Sequence, residues 1–403
     1  MTIGGTTLQD RWKSIVAFVI GVIVGTFAME LGVRLVEPQQ LVRGYAVPDP
    51  ELGTYVAPNQ AYLDLYGGRY LVRTNGAAFR MEEEVDMSLE RRRILVYGDS
   101  FTFGWGLDYA DTYFAALKEA AERADPSLQI LNAAVGGYST GHVKKLLERH
   151  IPALQPAAVV YFFNNNDLTD NAITDIDYRV TEYRVRGDGG IDLKDVKPFS
   201  PWKRFLLNYT PYGWLNRNSH VFVLSKDLLK RALNWKRRLQ IPRIDDASAE
   251  PKPASSEANP ATPQLAYTVR MSESGGTEDR INRFVAISVA HVRRLAGLAE
   301  KAGLPLLVIW VPAQQEMFPP GKETAVTRLL VRGRQALSEL GRQNGSYTFV
   351  DTTEIIPRGA NWSKRKGTLS FSDGHFNAAG AAWFGQLTKP AFLEFLSQEL
   401  PVQ

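Results

Sequence analysis

Four short stretches, far apart in the chain, hold residue types that could together open an ester. Tyr97-Gly98-Asp99-Ser100-Phe101-Thr102-Phe103-Gly104 presents a serine hydroxyl in a glycine-rich turn. Asn132-Ala133-Ala134-Val135-Gly136-Gly137-Tyr138 and Asn164-Asn165-Asn166-Asp167 present glycine N–H groups and side-chain amides, and Ser372-Asp373-Gly374-His375-Phe376-Asn377 presents an imidazole with a carboxylate beside it. A serine hydroxyl needs a base to take its proton, and a neutral imidazole does so when a carboxylate fixes its tautomer. The oxyanion that develops in the attacked carbonyl needs preorganised donors, which the backbone N–H groups of Ser100 and Gly137 and the side-chain amide of Asn166 could supply.

Such residues act together only if the fold gathers them. Ile94-Leu95-Val96-Tyr97 reads as a buried parallel strand ending at the Gly-Asp-Ser turn. A helix begins near Asp111, with Phe114, Leu117 and Ala121 on one face, and a strand follows at Leu128 to Leu131. After Thr140 a helix carries Val143, Leu146, Leu147 and Ile151 on one face, and Ala157 to Phe163 is a third strand. The pattern resumes with a helix at Val285 to Ala302 closed by Gly303, the strand Leu306 to Val311, a helix from Thr324 to Gln343, a strand at Tyr347 to Val350 and a helix after Asn377. Alternating strands and helices with apolar strands predict an α/β fold, a parallel sheet covered on both faces. Ligands of open parallel sheets bind beyond the carboxyl ends of the strands, where all four blocks fall.

At these residues the sequence resembles the SGNH, or GDSL-type, hydrolases. The resemblance runs from about residue 91 to 398 around an insertion, with the four blocks in order. It implies a flavodoxin-like, three-layer α/β/α fold and a serine ester hydrolase (an esterase or deacylase) working through an acyl-enzyme. It makes Ser100 the nucleophile, His375 the base, and Ser100, Gly137 and Asn166 the oxyanion donors. The chain departs from the family twice. The usual last block is Asp-x-x-His, whereas Asp373 stands two residues before His375 and Ser372 takes the usual place; the Asp-x-His-x-Asn-x-x-Gly form resembles a variant of larger bacterial members, and Asp373 is kept as the orienting carboxylate. Asn164 stands where the third block usually has glycine.

Other readings stay beside these. Ser100 could only cap a helix, Asp99 reads as a turn-stabilising residue, and Asn132 could bond neighbouring loops. His142 and His150 sit on a predicted helix without partners, and His220 and His291 lie in no motif. No phosphate loop, metal-binding His-Glu-x-x-His or dinucleotide fingerprint is present, so no cofactor and no metal are expected.

The chain has 403 residues, a formal net charge of +4 and no cysteine. Absent cysteine removes thiolate nucleophiles, disulfides and zinc-thiolate sites, and the dispersed charge gives no reason to expect nucleic acid. Ser14 to Gly32, SIVAFVIGVIVGTFAMELG, is uncharged apart from Glu30 and follows Arg11 and Lys13. It reads as a transmembrane span, with the basic residues keeping the N-terminus inside and sending the remainder to the periplasm. A cleaved signal peptide with Thr26-Phe27-Ala28 before the cut is the other reading. Gly21 and Gly25 form a Gly-x-x-x-Gly pair, a pattern also expected from the abundance of glycine in spans.

The expected organisation is therefore an anchor at 1–36 in the inner membrane, a lead-in at 37–90 with a hairpin turn at Asn75-Gly76, and a hydrolase domain at 91–167 and 282–403. An insertion at 168–281 starts aromatic and basic, as a lid or a sugar-gripping surface, and becomes a disordered loop at about 245–278. Within it, Leu224 to Leu239 reads as a basic amphipathic helix suited to anionic lipid or to an ordinary surface. The expected partners are an acyl ester, in one reading linked to polysaccharide, and the membrane. Two alternatives to hydrolysis remain: O-acyl transfer to cell-surface polysaccharide, and a non-catalytic binding module on the same fold.

Overall fold

The computed structural model describes residues 8–36, 39, 41, 46–49, 51–64, 70–88, 90–176, 179–186, 191–197, 202, 205–206, 209–226, 228–229, 277–358, 360–371 and 374–401. In chain order the elements are helix α1 (Leu8–Val36), strands β1 (Ala46–Asp49), β2 (Gly53–Val56), β3 (Ala61–Asp64), β4 (Tyr70–Arg73) and β5 (Arg92–Tyr97), and helices α2 (Ser100–Phe103) and α3 (Tyr113–Ala124). Then come β6 (Leu128–Asn132), α4 (Thr140–Leu154), β7 (Ala158–Asn164), α5 (Asp167–Asp170), β8 (Ile173–Ile176), β9 (Arg179–Val185), β10 (Ile191–Lys197) and α6 (Pro211–Asn218). The chain continues with α7 (Thr277–Lys301), β11 (Leu306–Val311), α8 (Gln314–Met317), α9 (Ala325–Asn344), β12 (Thr348–Val350) and α10 (Ala378–Glu399).

The central sheet has five strands in the order β12-β11-β7-β5-β6, all parallel. Numbered within the sheet this is 2-1-3-4-5, the flavodoxin-like winding, whose strand order reverses between β5 and β7. Because side chains alternate along a strand, each strand feeds two cores. Leu95, Tyr97, Val159, Tyr161, Phe163, Val308 and Trp310 pack with Val143 and Leu147 of α4, Ile287 and Leu295 of α7 and Leu329 of α9. Ile94, Val96, Val160, Phe162, Leu307 and Ile309 pack with Phe114 and Leu117 of α3 and Phe384 and Phe392 of α10. The three layers expected from the alternation are present.

Helix ends follow local chemistry. The Thr112 hydroxyl accepts from Ala115 N at 3.1 Å to start α3, and Gly303, at φ 65°, follows α7. That helix begins at Thr277, earlier than the apolar spacing predicted, because Ile281 and Phe284 extend its buried face and Glu278 and Asp279 complement its positive end. Thr277 and Glu278 therefore correct the end of the expected disordered loop, and 245–276 lie outside the described residues.

The lead-in contains two antiparallel pairs, β1 with β2 and β3 with β4. Asn75-Gly76 is not the tip of either hairpin. It follows β4, and Asn75 Oδ1 accepts from Ala77 N and Phe79 N to turn the chain back on itself. Beyond α5, β8, β9 and β10 form an antiparallel sheet of their own.

Residues 1–44 with 200–253 form one compact unit, and 45–199 with 254–403 form the other. In the first, α1 includes a 25-residue stretch, Trp12–Val36, of mean hydropathy 2.2, long and apolar enough to cross a membrane. Of the amphipathic helix expected at 224–239, residues 224–226 and 228–229 are helical, and 227 and 230–239 lie outside the described residues.

Candidate active site

The turn after β5 is shaped by contacts that exclude larger side chains. A Cβ on Gly98 would meet Thr102 Oγ1 at 2.0 Å, so glycine is required before the Asp-Ser pair. Asp99 caps α2, its Oδ1 accepting from Phe101 N at 2.9 Å, as its turn role predicted. Ser100 opens the helix, which leaves its backbone N–H among those without an intrahelical acceptor.

The last block reaches the same place from the other end of the chain. Phe371 N donates to His375 O at 2.8 Å, and Ser370 bridges Phe376. Asn377 Oδ1 accepts from Gly380 N to cap α10 while its Nδ2 donates to Thr368 O. A Cβ on Gly380 would lie 1.9 Å from Leu369 O, which accounts for the Asn-x-x-Gly part of the motif. The tight return delivers His375 so that its Nε2 lies 2.7 Å from Ser100 Oγ, and both residues are buried. The rings of Phe101 and Trp105 lie nearly parallel to the imidazole, with centroids 4.7 and 5.8 Å away. Asp373 and Ser372 lie outside the described residues.

The second block is tied to the nucleophile turn through Val135 N, which donates to Gly98 O at 3.2 Å. Tyr138 N closes a turn on Val135 O, placing Gly137 at φ 84° with open space where a Cβ would stand. Asn132 bonds loops, as its alternative reading had it: its Nδ2 donates to Thr102 O at 3.3 Å.

The third block holds a polar cluster that the sequence did not announce. Asn164, which stands where the resemblance led one to expect glycine, is buried and donates through Nδ2 to Asp99 Oδ2 at 3.0 Å. Asp167 Oδ2 accepts from Tyr161 Oη at 2.8 Å and from Asn164 N at 2.9 Å. Burial pushes the Asp99 carboxyl up, opposed by the Phe101 N–H, by His375 and by the Asn164 and Asn166 amides. Asp167 is pushed well above the carboxylate range by burial and by the charge of Asp99. Asn166, half-buried, donates through Nδ2 to Asp170 Oδ2 at 3.0 Å.

Arg80 is the second residue that sequence reasoning missed. Fully buried, it donates to the carbonyls of Phe103, Gly104 and Leu107, and its guanidinium lies over the Phe103 ring. These carbonyls bracket Trp105, so a side chain of the lead-in fixes the loop that stacks on His375. His142 and His150 have structural partners: His142 forms a capping box with Ser139, and His150 Nδ1 lies 2.8 Å from Tyr97 Oη. Among the described residues no group of three or more His, Asp or Glu side chains is arranged to hold a metal ion.

No family model matches the chain, and no curated protein matches it. Solved structures do. The chain is similar to TesA, at 12% identity over 77% of this chain and 98% of that one, with a TM-score of 0.35. It is also similar to a catalytic mutant of an acetylxylan esterase from Geobacillus stearothermophilus, at 10% identity over 79% and 98% with a TM-score of 0.38. A GDSL-like lipase from Bacteroides thetaiotaomicron matches at 12% identity over 77% and 92%, with a TM-score of 0.35.

Proposed function

We propose that the chain is a serine ester hydrolase with Ser100 as nucleophile and His375 as base. The observation that carries the reading is the 2.7 Å contact between Ser100 Oγ and His375 Nε2, made where the strand order reverses. His375 takes the Ser100 proton as Oγ bonds to the acyl carbon, then returns it to the departing alcohol oxygen; water cleaves the acyl-enzyme by the same steps. Asp373 is the proposed partner of the other imidazole nitrogen.

The Ser100 N–H, the Gly137 N–H and the Asn166 amide are the proposed oxyanion donors. Gly137 lies exposed at its turn, and Asn166 exchanges its bond to Asp170 for one to the substrate oxygen. One such donor is worth about 100- to 1000-fold in turnover. The helix α1 is proposed to anchor the protein in the inner membrane, with the hydrolase unit in the periplasm, in keeping with Arg11 and Lys13 before the span.

Fluorophosphonate labelling and turnover of short acyl esters test the chemistry. Wild type should label, and Ser100→Ala should neither label nor turn over while retaining its melting temperature. Asp373→Asn should cut turnover by about four orders of magnitude, the effect of a wrong imidazole tautomer. A Ser100→Ala protein that still hydrolyses esters would disprove the assignment. Adding an oligosaccharide and following the acyl group distinguishes water from sugar as acceptor.

A further inference from the structure

The apolar stretch of α1 holds one acid, Glu30, and a carboxylate there is costly unless it is paired. Its partners lie about 190 residues on in sequence. Glu30 Oε1 accepts from His220 N at 2.8 Å, and Oε2 accepts from Ser219 Oγ at 2.8 Å and Val221 N at 3.1 Å. Ser219 Oγ in turn accepts from Phe222 N. The carboxylate thus caps the helical run 220–226, meeting its orphan N–H groups and positive end. Arg34 completes the clasp by bonding Glu30 at 2.8 Å and donating to Asn218 O at 2.8 Å.

From that clasp the second helix runs along the end of the first. Met29, Val33 and Val36 line an apolar groove with Val221, Leu224 and Leu228, of about 420 Å³. In the same stretch of chain large apolar side chains stand exposed: Trp202 is 64% accessible, Tyr209 76%, Trp214 61% and Leu229 60%. Trp202, Phe205 and Tyr209 stack in a row, and all three remain exposed. In water this concentration of apolar surface is unfavourable, whereas tryptophan and tyrosine are favoured at the headgroup level of a bilayer. Between residues 200 and 240 the sequence has nine Lys and Arg against one acid, Asp227, a balance that favours anionic lipid.

We infer that the described residues 202, 205–206, 209–226 and 228–229 belong to a membrane-seated collar, clasped to the anchor by Glu30 and sunk among the headgroups and upper acyl chains of an anionic phospholipid bilayer. The inference rests on the anchor reading of α1 and is independent of the ester chemistry.

The chain has no cysteine, so single nitroxide labels report cleanly. The full chain, labelled at Val19→Cys, Trp214→Cys or Leu229→Cys, is reconstituted into phosphatidylcholine vesicles with roughly a third phosphatidylglycerol. All three labels should collide with dissolved oxygen and be shielded from an aqueous nickel chelate. Glu30→Ala should raise nickel access at 229 severalfold and leave 19 unchanged. A shielded 19 with 214 and 229 open to nickel overturns the collar alone, and an exposed 19 overturns the anchor with it. Spin–spin broadening at 214 or 229 that vanishes on dilution with unlabelled protein would mean that a second copy, not lipid, covers the face. An unchanged 229 in Glu30→Ala would refute the clasp.

Discussion

His150 is buried against Tyr97, with the two rings stacked at 5.9 Å, and that environment rejects a proton. Burial, reinforced by the nearby Arg149 charge, lowers its pKa from 6.5 to about 4. A depressed histidine binds protons more readily in the unfolded chain, so its contribution to stability is complete above pH 6.5 and is lost as pH falls from there to about 4. The loss amounts to roughly 3 kcal/mol. Thermal melts across that window should show a steep decline in wild type and a shallower one in His150→Gln, whose amide does not titrate. Equal slopes would contradict the assignment. His291, lowered to about 3 by burial first and by Arg294 and His142 next, keeps part of the slope in the variant.

Among the elements, the loop between α2 and α3 is the one whose position the site depends on most. The carbonyls of Phe103 at the end of α2 and of Gly104 and Leu107 in the loop are held by Arg80. Arg80→Lys keeps the charge but has one nitrogen for three acceptors. The variant should label with fluorophosphonate at least tenfold more slowly and melt several degrees lower; unchanged labelling would separate the lead-in from the site. The contrast with what the sequence revealed is physical. Strands and helices were legible because apolar spacing follows from burial, and Ser100 and His375 could be brought together because both blocks end near the same sheet edge. The Asn164 bond to Asp99 and the reach of Arg80 depend on side-chain direction across 65 and about 25 residues of sequence, which periodicity does not encode. Asn75-Gly76 misled for a related reason: the dipeptide marks a turn, but here the Asn75 side chain bonds its own loop rather than joining two paired strands.

At the scale of the whole molecule, the unit that holds the central sheet uses the lead-in as a structural part. Arg149 of α4 pairs with Asp49 and Glu51 beside β1 and β2, and Tyr138 Oη donates to Thr54 O at 2.6 Å. A chain begun at residue 45 should therefore stay folded and label with the probe, whereas one begun at residue 91 should do neither. Labelling of the shorter chain would show that the lead-in is dispensable.

The Glu30 clasp also imposes an order of events during biosynthesis. Its acceptor lies near the start of the chain and its donors 189 to 191 residues later. At a synthesis rate of about 5–20 residues per second, α1 waits roughly 10–40 s before Ser219 exists. Through that interval Arg34, four residues away, is the partner already made, and β5, β6 and β7 all leave the ribosome first. Joining α1 to its partner is therefore a step that waits for a segment encoded between two strands of the central sheet, β7 and β11.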